Sequence, residues 1–468
     1  MRFTLKHLTA AVLSLTALAG CTANQASDRF EDQVGVQLFL WNFNSIAQEC
    51  EYLGNVGIDW VLVAPPQEHI QGGEWWVGYQ PVSYKLESQL GTQSEFEAMV
   101  KTCGDQGVEI YVDAVINHMT GSSEGVGTAG TQYAKYEYGD LYTRSDFHAC
   151  EETMDGQIAD WASITQVQQC ELLNLADLRT EDATVQAKIV GYLKSLVDLG
   201  VTGFRIDAAK HIAVADLEAI KEKLPAEIKY IQEVIPGTPG AEPSDYLSVG
   251  DIFGFDLAYQ LASIFNQELA FLPDTSTESP WITPSNQTVV MVSNHDTERN
   301  GQALNYNQPA QFEAATALML ALDYGQPMLY SSFAFDSYDW APKDENGRML
   351  DAKCAQSSGI YFTNHEPGTW LCQHRMNSVN GMIQFRDETA GLTLTNPQTS
   401  EAVLSFERGD KGFFAVNVTT VDQKGIEITT NLADGKYSDL ISGKEVEISA
   451  GIVKLDLVAN QPIALIKR

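Results

Sequence analysis

The sequence predicts an α/β fold: a (β/α)8 barrel with a subdomain inserted after its third strand and an antiparallel β-sandwich at its C-terminus. Three observations lead there. Apolar strand-like runs recur eight times between residues 34 and 331, most pairs separated by a helical pattern. Three of the runs end in an acid: Asp207 in Gly203-Phe204-Arg205-Ile206-Asp207, Glu233 in Tyr230-Ile231-Gln232-Glu233-Val234, and Asp296 in Val292-Ser293-Asn294-His295-Asp296. The acids are spaced as strand–helix units are, 26 residues from Asp207 to Glu233 and 63 from Glu233 to Asp296. A charge at the end of a buried strand costs folding free energy unless it has a partner or a use. Acids at strand C-terminal ends describe the working face of such a barrel, and carboxylates converging there suit the breaking of glycosidic bonds.

The elements follow in order. Residues 34–43, 59–64 and 108–116 are apolar runs of strand length. Between the last two, Phe96, Met99, Val100 and Cys103 recur at helical spacing and stop near Gly104 and Gly107. Val185, Ile189, Leu193 and Leu196 share a second helical face, with Gly200 as the stop signal and strand 201–206 directly after. Further strands are expected near 229–234, 252–257, 288–293 and 327–331. One interval is too long: 89 residues separate His118 from Asp207, where a unit needs roughly 30. Residues 117–178 supply the insertion, with glycines from Gly121 to Gly130 and Cys150 and Cys170 available to staple it. Insertions at this face commonly form one wall of the active site. The barrel then comprises 33–116 and 179–388. From 389 to 468 the pattern turns to period two, with Val453, Leu455 and Leu457 around Lys454 and Asp456, and turn signals at Asp434-Gly435 and Ser442-Gly443.

The first twenty residues stand apart. Arg2 and Lys6 precede an apolar stretch from Leu8 to Ala19, which reads as a secretory signal. It ends in Leu18-Ala19-Gly20-Cys21, similar to a bacterial lipobox, so Cys21 is expected to be lipidated and to anchor the protein through the tether 21–32 at the outer membrane or cell surface. The alternative is an ordinary cleaved signal and a released protein. Losing that segment removes two basic and no acidic residues, taking the formal net charge from −33 to −35. Such a surface repels nucleic acid and anionic lipid and fits a neutral ligand. Six further cysteines, Cys50, Cys103, Cys150, Cys170, Cys354 and Cys372, favour disulfides in an exported chain and lack zinc-ligand spacing.

Taken singly, these residues have plain readings. Asp207 serves equally as a helix N-cap, Glu233 as a salt-bridge partner, His118 and His295 as structural histidines, and Trp75 and Trp76 as core aromatics. Together, Asn117-His118, Gly203–His211, Glu233 and Asn294-His295-Asp296 resemble the four ordered motifs of the α-amylase family of glycoside hydrolases. Trp75-Trp76, Tyr79-Gln80-Pro81-Val82-Ser83-Tyr84, Gln48-Glu49-Cys50-Glu51 and Tyr330-Ser331-Ser332 resemble its animal-type branch, found in animals and some marine bacteria.

The resemblance implies an endo-acting, retaining α-1,4-glucanase of starch or glycogen; the alternatives are a glucanotransferase, in which an acceptor sugar replaces water, and an inactive starch-binding lipoprotein. It makes Asp207 the nucleophile, Glu233 the acid/base and Asp296 a transition-state stabiliser. Arg205, facing the same side two residues earlier, would hold Asp207 ionised. Trp75, Trp76, Tyr79, Gln80, His118, Lys210, His211 and His295 would contact sugar, the tryptophans by stacking.

Calcium is implied at Asn117, Asp177 and the carbonyls of Gln168 and His211, an oxygen set suited to a hard cation; Asp177 as a cap of the next helix is the alternative. The implied disulfides are Cys50–Cys103, Cys150–Cys170 and Cys354–Cys372. Three positions depart from the relatives. Arg205 and Asn294 match two chloride ligands, but the third position is Met328, whose thioether carries no charge, so weak or absent chloride dependence is expected. Thr297–Gln302 replaces a glycine-rich loop, and Leu40 replaces a frequent acid. A monomer is expected.

Overall fold

The computed structural model describes residues 30–354 and 366–467. The leader 1–20, Cys21 and nearly all of the tether lie outside the described residues.

Eight strands, β1 (Gly35–Leu38), β2 (Trp60–Val63), β3 (Glu109–Ala114), β4 (Gly203–Ile206), β5 (Lys229–Gln232), β6 (Asp251–Gly254), β7 (Thr288–Val290) and β8 (Gln326–Ser331), close in chain order into a parallel TIM barrel. Two registers matter most. Gly35 pairs with Trp60, and a Cβ at Gly35 would lie 2.1 Å from the Trp60 ring, so glycine makes room for the indole in the barrel interior. Asp113 pairs with Arg205 on adjacent β3 and β4; partners in register point to the same face, which sets an acid beside the arginine.

The longer helices are α1 (Phe43–Val56), α2 (Gln93–Asp105), α3 (Ala183–Asp198), α4 (Val214–Lys221), α5 (Phe255–Gln267), α6 (Pro309–Ala321) and α7 (Asn377–Glu388). Helix α2 starts at a capping box, Thr92 with Glu95, and α3 stops before Gly200, at φ 102°. The run 252–257 is corrected: the strand ends at Gly254, and from Phe255 the chain is helical, with Phe255, Leu257, Ala258, Leu261 and Ala262 buried at helical spacing. Periodicity cannot divide so short an apolar run between strand and helix. Between β5 and β6 the only helical turn is the 3-10 segment Pro243–Tyr246.

The insertion leaves the barrel through a neck in which His118 pairs antiparallel with Asp177. Glu68, buried, ties its first hairpin down: Oε1 accepts from Ala129 and Thr131 N–H at 2.9 Å each, and Oε2 from Thr131 Oγ1 at 2.7 Å. All three disulfides have the implied pairing; Cys50–Cys103 joins α1 to α2 and Cys150–Cys170 closes the insertion.

Beyond α7, β9 (Leu394–Thr399), β10 (Val403–Arg408), β11 (Gly412–Asn417), β12 (Gln423–Thr429), β13 (Gly435–Asp439), β14 (Glu445–Ser449), β15 (Ile452–Leu457) and β16 (Pro462–Lys467) form one antiparallel sheet in the order β9-β10-β11-β16-β13-β14-β15-β12. Val403 and Phe413 share a core with Ile428 and Val453 from the far end of that order. The sheet therefore folds over on itself as a sandwich, with Gln398 Nε2 reaching the Thr429 carbonyl across its edges at 2.6 Å.

Candidate active site

The site grows from Arg205. Its side chain is 1 % exposed at the end of β4, and a buried guanidinium must be matched by acids. Nη1 contacts Asp113 Oδ1 at 2.6 Å and Asp207 Oδ1 at 2.5 Å, while Nη2 lies 2.9 Å from Glu233 Oε1. Three carboxyls from three strands thus converge on one cation. Glu233 is also oriented by the Ala208 N–H, which donates to Oε2 at 2.8 Å; Ala208 provides it from a left-handed turn at φ 50° directly after Asp207.

Burial pushes the Glu233 carboxyl up to about 7; Asp207 and Asp296 add to this, against the pull of Arg205. Burial likewise raises Asp296 to about 6, with Asp207 raising it and Arg205 and Arg299 opposing. A proton available near neutrality on Glu233 is what a general acid needs. Asp113 was not foreseen. It is fully buried, accepts from the Tyr79 hydroxyl at 2.9 Å, and is the second anchor of Arg205.

His295 is fixed on three sides. Its ring lies between Phe39 (centroids 4.8 Å apart, 16° between planes) and Tyr79 (5.0 Å, 13°). Gln37 Nε2 donates to Nδ1 at 3.1 Å, leaving Nε2 as the donor, 3.3 Å from Asp296 Oδ2. Burial holds its pKa well below the usual range, so the imidazole is neutral. His118 lines the cleft, and its Nε2 donates to the Tyr79 carbonyl at 3.0 Å. Gln80 is also partly committed, its Oε1 accepting from Thr120 Oγ1 at 2.6 Å and Gly121 N–H at 3.2 Å.

Asp207, Glu233, His295 and Asp296 line a cleft of about 590 Å³, with Arg205 and Asp113 buried behind it. One wall carries Trp75 and Trp76. Trp75 is mostly packed into the core, whereas Trp76 is half-exposed with its Nε1–H on Asp339 at 2.9 Å. The opposite wall carries Lys210, His211, Ile235 and, from the insertion, Trp161 and Leu173. Trp161 and Leu173 escaped sequence reading because nothing local marks an exposed apolar residue as facing a cleft. His211 Nδ1 donates to the Val167 carbonyl at 2.7 Å, bringing the insertion's helix Ile164–Gln169 against the barrel.

Asp177 is 3 % exposed and burial pushes its carboxyl up to about 7. Asn117 Nδ2 lies 3.4 Å from Asp177 Oδ1, and Gln168 Nε2 donates to Tyr246 OH, which in turn donates to the Lys210 and Ile212 carbonyls flanking His211. Met328 packs among Trp60, Leu62, Phe253 and Val289. Asn294 Oδ1 accepts from the N–H groups of Asp296 and Thr297 at 3.2 and 2.9 Å, capping its own turn. Leu40 is buried at φ 57°, and nothing in the structure gives it a functional role.

A (β/α)8 barrel whose strand-end carboxyls meet in an aromatic-walled cleft is of the glycoside hydrolase class. Comparison with known proteins narrows this. Residues 27–260 match the family model "Alpha amylase, catalytic domain", and residues 393–465 match "Bacterial Alpha amylase C-terminal domain". An α-amylase of Streptomyces violaceus is 39 % identical over 455 residues, covering 96 % of this chain and 76 % of its own. An α-amylase-related protein of Drosophila melanogaster is 38 % identical, covering 88 % and 86 %. Among solved structures, a mutant of α-amylase I from Eisenia fetida in complex with maltohexaose superposes with a TM-score of 0.84 at 29 % identity, covering 93 % of this chain and 97 % of that one. The chain belongs to the α-amylase family, glycoside hydrolase family 13.

Proposed function

We propose that the protein is an endo-acting α-amylase that hydrolyses α-1,4-glucosidic bonds of starch and glycogen with retention of configuration. The observation that carries this is the single Arg205 guanidinium bridging Asp207 and Glu233. A shared fork keeps the two carboxyls close, in keeping with the separation of about 5–5.5 Å that retention uses rather than the wider inverting gap.

Asp207, held by Arg205, attacks the anomeric carbon. Glu233 protonates the departing oxygen, then takes a proton from the water that releases the glycosyl group from Asp207. Asp296 and His295 Nε2 bind hydroxyls of the reacting glucose and favour its cationic transition state. Trp76 offers a stacking face, and maltohexaose in the Eisenia fetida complex supports an α-glucan as the ligand.

The residues present fit calcium: Asp177 offers a buried carboxylate whose Oδ2 meets His148 Nδ1 at 2.6 Å while Oδ1 faces Asn117, and the remaining donors are the Asn117 side chain and the Gln168 and His211 carbonyls. Bound there, calcium would pin the insertion to the barrel beside the cleft. Chloride dependence is proposed to be weak, since the carboxylates engage Arg205 and Met328 adds no charge. Lipidation at Cys21 and attachment at the cell surface complete the proposal.

The test is product profiling on soluble starch and maltooligosaccharides, with NMR of the first anomer released. Internal cleavage with the α-anomer first supports the reading; the β-anomer first refutes retention. Products longer than the starting oligosaccharide identify a transferase, and starch binding without products an inactive binder.

A further inference from the structure

Directly behind His295 and Asp296 lies a second buried ion pair that the reaction above does not use. The turn after Asp296 is a short helix, Thr297–Asn300. The side chains of Glu298 and Arg299 on it have no exposed surface and are paired with each other. Glu298 Oε1 accepts from Tyr330 OH at 2.6 Å and from Ser332 Oγ at 2.9 Å, tying the turn to the end of β8. Arg299 Nη1 donates to the His295 carbonyl at 3.2 Å. Its guanidinium carbon sits 4.1 Å from the Phe335 ring centroid, 5.1 Å from Trp75 and 5.5 Å from Phe39. Phe39 stacks on His295, and Trp75 meets His295 edge-on at 5.8 Å.

Arg299 therefore contacts Phe39, one support of the His295 ring, the His295 carbonyl, and the cleft wall at Trp75, which meets His295 edge-on. Burying two charges among aromatic rings is expensive, and apolar side chains of similar volume fill such a space at less cost. The charge thus has a use besides packing.

We propose that Arg299, anchored by Glu298 to the end of β8, is a positioning residue: it holds His295, Asp296 and Trp75 in register with the Asp207–Glu233 pair and presents a positive charge to the cleft from behind. This rests on the reading of the cleft as a glucan hydrolase. The charged and titratable groups facing Asp296 are Arg205, Asp207 and Glu233 from neighbouring strands, and His295 and Arg299 from its own turn. Tyr79, Tyr259 and Tyr338 complete the set. Of these only Arg205 and Arg299 are cationic, so loss of Arg299 makes Asp296 harder to ionise, and loss of the Glu298 charge makes it easier.

The experiment compares Arg299→Met, Arg299→Lys and Glu298→Gln with wild type on a chromogenic maltoheptaoside, reading kcat, KM and the full pH profile, with melting temperature as the control for folding. An inactive wild type would refute the hydrolase reading itself, separately from this proposal. With an active wild type, Arg299→Met should lower kcat roughly ten- to a hundredfold, the scale of a small misplacement of reacting groups, and move the acid limb of kcat/KM to higher pH. Glu298→Gln should move that limb the other way, and Arg299→Lys should restore its position while recovering kcat only in part. Limbs that stay put or move together in the Arg299→Met and Glu298→Gln enzymes overturn the proposal. If Arg299→Met does not fold, the opposed direction of Glu298→Gln and the unmoved limb of Arg299→Lys decide it.

Discussion

Asp113→Asn tests where the resting proton of the site sits. Asp113 and Asp207 share Arg205 Nη1 at 2.6 and 2.5 Å, whereas Glu233 has Nη2 at 2.9 Å and one backbone N–H. Burial pushes Asp113 and Glu233 alike up to about 7, but the closer Arg205 contact and the Tyr79 hydroxyl pull Asp113 back, which favours the shared proton on Glu233. Replacing Asp113 by the isosteric amide removes a negative charge that offsets Arg205, so Glu233 ionises more easily. A unit charge one guanidinium away, roughly 7 Å, at an effective dielectric of about 20 contributes about 2.4 kcal/mol, which sets an upper scale of roughly 1.7 pH units. The basic limb of kcat/KM, expected near the raised Glu233 value of about 7, should therefore fall by about one pH unit and by no more than about 1.7. The assay is initial rates across pH 4–9 at low substrate, with circular dichroism to establish folding. A basic limb unmoved in a folded Asp113→Asn enzyme would refute the reasoning and place the proton on Asp113.

Other consequences are as direct. Chelation of calcium should lower the melting temperature and raise amide exchange in residues 117–178 more than in the C-terminal domain, and calcium readdition should reverse both. Enzyme stripped of halide should keep its activity on adding chloride; a several-fold rise would overturn the reading of Met328. Arg408→Met should destabilise the fold by at least about 2–3 kcal/mol, measured by urea unfolding, because this buried guanidinium donates to the Ala321 and Leu322 carbonyls at 2.8 and 3.1 Å and to the Leu392 carbonyl at 3.0 Å, joining the sheet domain to the end of α6.

How much of this was legible follows from where each signal resides. The barrel could be read because its strands are apolar runs, three of them closed by acids, and local repetition carries that pattern. The division of 252–257 could not, since a buried strand and the first turn of a buried helix share one composition. Asp113 obeys the same rule that exposed the other acids, a charge in the apolar run 108–116. It sits inside its run rather than at the end, and only the register of β3 against β4 shows that it meets Arg205. Glu298 and Arg299 were visible as an unusual sequence after Asp296, but their partners Tyr330 and Ser332 come from another barrel unit, 32 and 34 residues on from Glu298.

Met328 gains meaning from these contacts. A lone arginine beside an acid/base glutamate would hold it ionised at neutral pH and spoil it as a proton donor. An anion near the arginine is one remedy. Here Asp113 and Asp207 press on the same nitrogen of Arg205 from adjacent positions, so the protein's own carboxylates absorb much of its charge. At position 328 a cation would face Trp60, Phe253 and Val289, with no acid in that apolar cluster to receive it. The thioether is thus consistent with a site whose counter-anion is built into β3, and the shift expected for Asp113→Asn measures how far that substitution of carboxylate for halide extends.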